Sequence, residues 1–188
     1  MFHDLVVRCR SVRTFDESRP VTEDEVRALI DTSRLCASAA NLQPLKYRIV
    51  TGDECASVQK LTKWAGALPD LKLPPEGKMP TAFVLICHDT AISKITDCAS
   101  MDVGIAAQTL VLAAAEVGIG SCMIASFERT IADVLGIPEA LTPRLLIALG
   151  RPAEKEVLCA PKNGSVKYFR DDAGLHFVPK RPLDEILI

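Results

Sequence analysis

The sequence predicts an α+β fold: a central mixed or antiparallel sheet flanked by helices, as a single domain over residues 1–188. Three observations predict it. Thr81 to His88 is a continuous apolar run of strand length, as expected for a strand buried on both faces. From Val103 to Val117 only Gln108, Thr109 and Glu116 are clearly polar, so this helix reads as apolar around nearly its whole girth and buried on all sides. Finally, 188 residues supply one full hydrophobic core and are too few for two.

The elements follow in order. Met1 to Val7 reads as a short helix, and Arg8 to Asp16 as a basic, irregular segment. Thr22 and Glu25, three apart, form a capping box, and Val26, Leu29, Ile30 and Ser33 keep helical spacing to about Leu35. Ala37 to Pro44 is small and polar and reads as a loop; Lys46 to Thr51 alternates as a strand does. A helix is expected from Asp53 to Trp64. Leu68 to Pro80, with four prolines and Gly77, reads as an irregular surface excursion suited to a mobile flap. The central helix is expected to start on Asp102 as its cap and end at Gly118 in a left-handed conformation. A strand from Ser121 to Ala125 comes next, then a helix from Glu128 to Leu135, and a strand from Arg144 to Leu149 ended by Gly150. The tail holds Val166 to Arg170, a turn at Asp172–Gly174, the stretch Leu175 to Arg181 and a last amphipathic turn, Leu183 to Ile188. Tails of this length often wrap a partner subunit.

Net charge is −2 from 22 basic and 24 acidic side chains, so there is no electrostatic case for nucleic acid. The central helix is too short to cross a bilayer comfortably, and Met1 to Arg13 carries too many charges for a signal peptide. Seven scattered cysteines, odd in number and without a C-x-x-C pair, argue against a disulfide framework or a metal site. The cytoplasm is the expected compartment.

Three segments carry chemistry. Arg10-Ser11-Val12-Arg13 flanks a hydroxyl with two guanidiniums, a donor fork suited to phosphate, although a basic turn pairing with Asp16 or Glu17 has the same composition. In Ser38-Ala39-Ala40-Asn41-Leu42-Gln43-Pro44, small residues would let a planar ligand approach the backbone while Ser38, Asn41 and Gln43 offer polar groups; local backbone satisfaction is the alternative. Lys180-Arg181 is a cationic pair held between Pro179 and Pro182. Gly118-Ile119-Gly120 is no dinucleotide fingerprint, since it lacks the third glycine and precedes a strand.

The ordered set of these motifs, together with Asp102-Val-Gly-Ile-Ala-Ala-Gln-Thr-Leu, Gly118-Ile-Gly-Ser-Cys-Met-Ile and Ala148-Leu-Gly150, resembles the nitroreductase family of FMN-dependent flavoproteins over nearly the whole chain. The resemblance implies an intertwined homodimer with FMN at the subunit interface, reduced by NADH or NADPH and reoxidised by small-molecule acceptors such as nitroaromatics or quinones. It implies Arg10 and Ser11 at the FMN phosphate and ribityl chain, and Arg13 near N1 and O2 of the ring. Ser38 and Asn41 would come from the partner subunit, with Gln43 close by. Ile124, Ala125 and Ser126 would lie where backbone reaches N5 and O4, and Lys180 and Arg181 would close over the phosphate. Cys9, Ala37, Ala125 and Ser126 depart from the usual family residues. No side chain is assigned as general acid or base, and His3, His88 and His176 read as structural. The alternatives are a flavin-binding sensor or carrier without turnover, and specialised flavin chemistry such as dehalogenation.

Overall fold

The computed structural model describes residues 1–66 and 71–188. Strand β1 (Phe15–Asp16), β2 (Leu45–Thr51), β3 (Ala82–Asp89), β4 (Gly120–Ile124) and β5 (Leu141–Pro152) form the main sheet. The path runs β1-β5-β3-β2, with β4 also pairing β5, and every pairing is antiparallel. The sheet is therefore antiparallel, the second of the two expected forms. Seven consecutive residues of β3, Ala82 to His88, are buried, because the strand is central and covered on both faces.

Two cores lie against the sheet. One gathers α2 (Glu23–Ser33) and the long helix α4 (Asp97–Glu116) over Val84, Ile86, Ile147 and Leu149. The other packs α3 (Glu54–Lys60) and α5 (Ile131–Val134) against Phe83, Leu85, Leu146 and Ala148. A short α1 (Phe2–Arg8) precedes them. The alternation of sheet residues between the two cores is the period of two that pleating imposes.

Local signals explain most boundaries. Thr22 caps α2 through the reciprocal bonds of a capping box with Glu25. Gly118, at φ +75°, turns the chain out of α4. The expected helices over 53–64 and 128–135 are shorter, at Glu54–Lys60 and Ile131–Val134. The irregular stretch before β3 is observed over 71–80; its first part, 68–70, lies outside the described residues.

Three expectations are corrected. Helix α4 begins six residues earlier, with Thr96 as its cap accepting a bond from the Ala99 N–H; Asp102 lies inside it and is no cap. Nor is α4 buried all round: Met101, Ile105 and Gln108 are exposed, while Asp102, Val103, Ala106, Ala107, Leu110, Val111 and Ala114 face inward. Its length and composition would suffice to cross a membrane, and its inward stripe packs into the first core. Gly150 does not end its strand. β5 runs on to Pro152, and the Phe15 ring occupies the space above Gly150, where a Cβ would come within 2.6 Å of it.

The tail forms a second, three-stranded sheet that composition did not reveal. In it β6 (Glu156–Cys159) pairs parallel with β8 (His176–Pro179), which pairs antiparallel with β7 (Phe169–Arg170). The tail strands therefore pair with one another within the chain. Beyond them, Leu183, Ile186, Leu187 and Ile188 are exposed.

Candidate functional site

The segment Cys9 to Arg13 crosses the C-terminal end of α4 and the start of β4. The Val12 N–H donates to the Ser121 carbonyl at 2.8 Å, and Val12 itself packs on Gly120, where a Cβ would stand 2.9 Å from Cγ2. This fixes Arg10 and Arg13 beside the tail sheet. Together with Cys9, Ser11, Ser121, Met123, Gln108, Val111, Tyr168, His176, Val178 and Lys180 they line a cavity of about 370 Å³. Arg10, Ser11 and Arg13 thus meet Lys180, from the other end of the chain, in one concavity.

Both arginines are held. The Arg10 Nη2 donates to the Val6 carbonyl at 2.6 Å, while its Nε is buried and without a partner among the described residues. The Arg13 guanidinium lies 4.9 Å over the Tyr168 ring and donates to the Ser11 carbonyl at 3.2 Å. The backbone N–H of Arg13 donates to Glu154, which also accepts from Thr14 and is ion-paired with Arg170. The Glu154 carboxylate is only 4% exposed, so it is compensated on several sides, as a buried charge must be.

Behind this ring lies a row across the tail sheet. Glu156 and Arg170 both pair in register with His176, so the three side chains share one face. His176 is 1% exposed and neither ring nitrogen has a partner among the described residues. Burial, then Arg13 and Arg170, pull its pKa down to about 4. Burial, reinforced by Glu154, pushes the Glu156 carboxyl up to about 7. Glu156 faces an adjoining cavity of about 380 Å³ that shares Cys9, Arg10 and Ser121 with the first.

The second predicted segment lies elsewhere. Ser38 donates to Asp102 at 2.7 Å, and the Ala39 N–H donates to the same carboxylate at 2.9 Å. Gln43 closes the loop, its N–H donating to Ser38 Oγ at 3.0 Å and its side-chain amide to Asn41 Oδ1 at 3.0 Å. Ala40, Asn41 and Gln43 all have positive φ, a conformation such residues adopt only where surroundings fix it. Ser38 and Gln43 line a smaller cavity of about 130 Å³ with Tyr47, Asp102 and Ala106, sharing no residue with the first. Helix α4 walls both.

The remaining predicted residues stand apart. The Ile124 side chain is in the second core, Ala125 and Ser126 are exposed beyond β4, and Ser126 accepts from the Lys63 N–H through its carbonyl. Arg181 is exposed and paired with Glu185 at 3.0 Å. Composition missed Tyr168, His176, Glu154 and Glu156. A period-two reading would have found part of this set, because His176, Val178 and Lys180 fall on alternate residues and all reach the cavity.

The three cations of this cavity suit an anionic ligand. The family model described as Nitroreductase family matches residues 6–151. The chain belongs to the nitroreductase family. Its relatives include proteins of Archaeoglobus fulgidus and Methanothermobacter thermautotrophicus, each provisionally named an NADH dehydrogenase/NAD(P)H nitroreductase. The first is 26% identical over 81% of this chain and 86% of its own, the second 27% over 77% and 74%. The nitroreductase fold recurs in a family protein of Streptococcus pneumoniae, with TM-score 0.73, 22% identity and coverage of 100% and 99%. It recurs again in a provisionally named nitroreductase of Desulfovibrio desulfuricans solved in complex with FMN, with TM-score 0.71, 20% identity and coverage of 100% and 95%. The orphaned Arg10 Nε and His176 nitrogens, beside Ser11 and Lys180, fit the phosphate end of such a cofactor.

Proposed function

We propose that this nitroreductase-family chain is an FMN-dependent NAD(P)H oxidoreductase, working in the cytoplasm as a homodimer on nitroaromatic, quinone or related acceptors. The observation that carries the reading is the convergence of Arg10, Ser11, Arg13 and Lys180 on one cavity from opposite ends of the sequence. The relatives' names and the FMN complex of a structural neighbour support it. Seven free cysteines support a reducing compartment.

FMN, when bound, supplies hydride acceptance and donation at N5, the step that lets donor and acceptor be served in turn in a ping-pong scheme. The chain supplies position and charge. Arg10, Ser11 and Lys180 hold the anionic end, and Arg13, fixed over Tyr168, keeps a cation in the cavity. No side chain is needed as general acid. The Ser38–Gln43 loop, built on Asp102 and outside the lining of the cationic cavity of its own chain, would complete the site of a partner. Ile124, Ala125, Ser126 and Arg181 would contribute from the margins. The exposed apolar residues of α4 and of Leu183 to Ile188 support a buried subunit contact.

The test is an absorbance spectrum of purified protein followed by anaerobic titration. Yellow protein bleached by NADH or NADPH and recoloured by a nitroaromatic or quinone is expected. Colourless protein after incubation with FMN overturns the reading; yellow protein that neither nicotinamide bleaches points to a sensor or carrier.

A further inference from the structure

Seven buried side-chain polar atoms lack a hydrogen-bond partner among the described residues, and five of them belong to Arg10, Glu156, Arg170 and His176. Orphaned buried groups are costly, and such a concentration marks a place where a ligand completes the bonding. His176 is the most exacting case, because a neutral ring needs one acceptor and one donor and has neither.

We propose that His176 is a ligand contact in the cavity lined by Arg10, Arg13 and Lys180, and that its imidazole takes up a proton from solvent when the anion of the ligand binds. The proposal rests on the flavin reading above, and the anion is then the FMN phosphate. One proton adds to a neutral imidazole to give imidazolium, and no other bond changes.

The surroundings make the ring neutral beforehand. Arg10, Arg13 and Cys9 face it from the N-terminal segment, Glu154 and Glu156 from β6 and its approach, Arg170 from β7 and Tyr168 just before it, and Lys180 just after β8. Cations outweigh ionised carboxylates there, since Glu154 is already engaged with Arg170 and Glu156 holds its proton up to about 7. An arriving phosphate brings up to two negative charges, offsets most of the positive field of Arg10, Arg13 and Lys180 and so favours the charged ring. A fourth permanent cation would repel the other three while the cavity waits. An imidazole acquires its charge only when the anion arrives.

The test is calorimetric titration with FMN at about pH 6 in two buffers of different ionisation enthalpy, on the wild type, His176→Asn and His176→Phe, with riboflavin as the ligand without phosphate. The flavin phosphate titrates in the same range, so the readout is the difference between wild type and variants. The wild type is expected to take up as much as about one proton more, and to lose FMN affinity relative to the variants by up to about tenfold per pH unit as pH rises. Riboflavin should show no such difference. Because either variant could disturb the core, nitrogen NMR of the wild type gives an independent readout: of three histidines, His176 should become doubly protonated with FMN and stay neutral with riboflavin. Equal proton uptake in all three proteins, or a ring that stays neutral in the FMN complex, overturns the proposal while leaving flavin binding intact. Protein that binds no FMN overturns both readings.

Discussion

Glu156 and His176 stand opposite each other where β6 pairs with β8, and each keeps a buried polar atom without a partner among the described residues. Their proton affinities move in opposite directions, Glu156 up to about 7 and His176 down to about 4. Folding therefore keeps a proton on Glu156 and strips one from His176. Stability from the first falls as pH rises from the ordinary carboxylate range to about 7; stability from the second falls as pH drops from the ordinary imidazole range to about 4. Between about 4.5 and 6.5 the two slopes cancel in the wild type. Glu156→Gln should expose a stability that climbs with pH in that window, and His176→Asn one that declines, each by at most about 1.4 kcal/mol per pH unit. Urea denaturation across that window checks both signs.

Asp102 sits inside α4, 4% exposed, where its carboxylate serves Ser38 and the Ala39 N–H. Asp102→Ala leaves both donors short of an acceptor and should cost about 1–3 kcal/mol for each group left unsatisfied. Asp102→Asn, which keeps one acceptor, should cost less. Denaturation midpoints measure the loss, and hydrogen exchange should show faster opening at residues 38–44 while β3 stays protected.

If Ser38 and Asn41 complete the partner's site, two defective chains should rescue one another. A chain carrying Arg10→Ala, refolded with one carrying Ser38→Ala and Asn41→Ala, places both lesions in one site of each hybrid and none in the other. About a quarter of the FMN-binding capacity should return on mixing equal amounts. No recovery, with hybrids confirmed by mass spectrometry, would place both segments in the same chain's site.

Arg13 is held over Tyr168 and tied through its backbone to Glu154. Removing its charge should slow anaerobic flavin reduction by about 10²-fold, the scale of losing one preorganised donor, and weaken FMN retention far less. Stopped-flow reduction set beside FMN affinity makes the comparison. Equal losses would mean that Arg13 anchors the ligand and nothing more.

Much of the fold was legible because single residues carried unambiguous physics. The Thr22–Glu25 box started α2 where expected, and the unbroken apolar run of β3 announced a strand covered on both faces. Asp102 misled because an aspartate ahead of an apolar run looks like a cap; its true work, holding Ser38, depends on a contact 64 positions away. Gly150 misled for a similar reason, since its lack of a side chain answers to Phe15 and not to a turn. At the site, Arg10, Arg13 and Lys180 were readable as cations. The Glu156–His176–Arg170 row was not, because it exists only once a parallel pairing brings two tail segments into register.

Two absent side chains set where the cationic segment lies. Val12 rests on Gly120 and Phe15 on Gly150, neighbours across the β4–β5 pairing. A single methyl group at either floor position would lift the guanidiniums relative to the tail strands while leaving every ligand-facing atom chemically unaltered. If the cavity holds FMN as proposed, its affinity can thus be retuned from the sheet beneath, by substitutions that never appear among the residues touching the ligand.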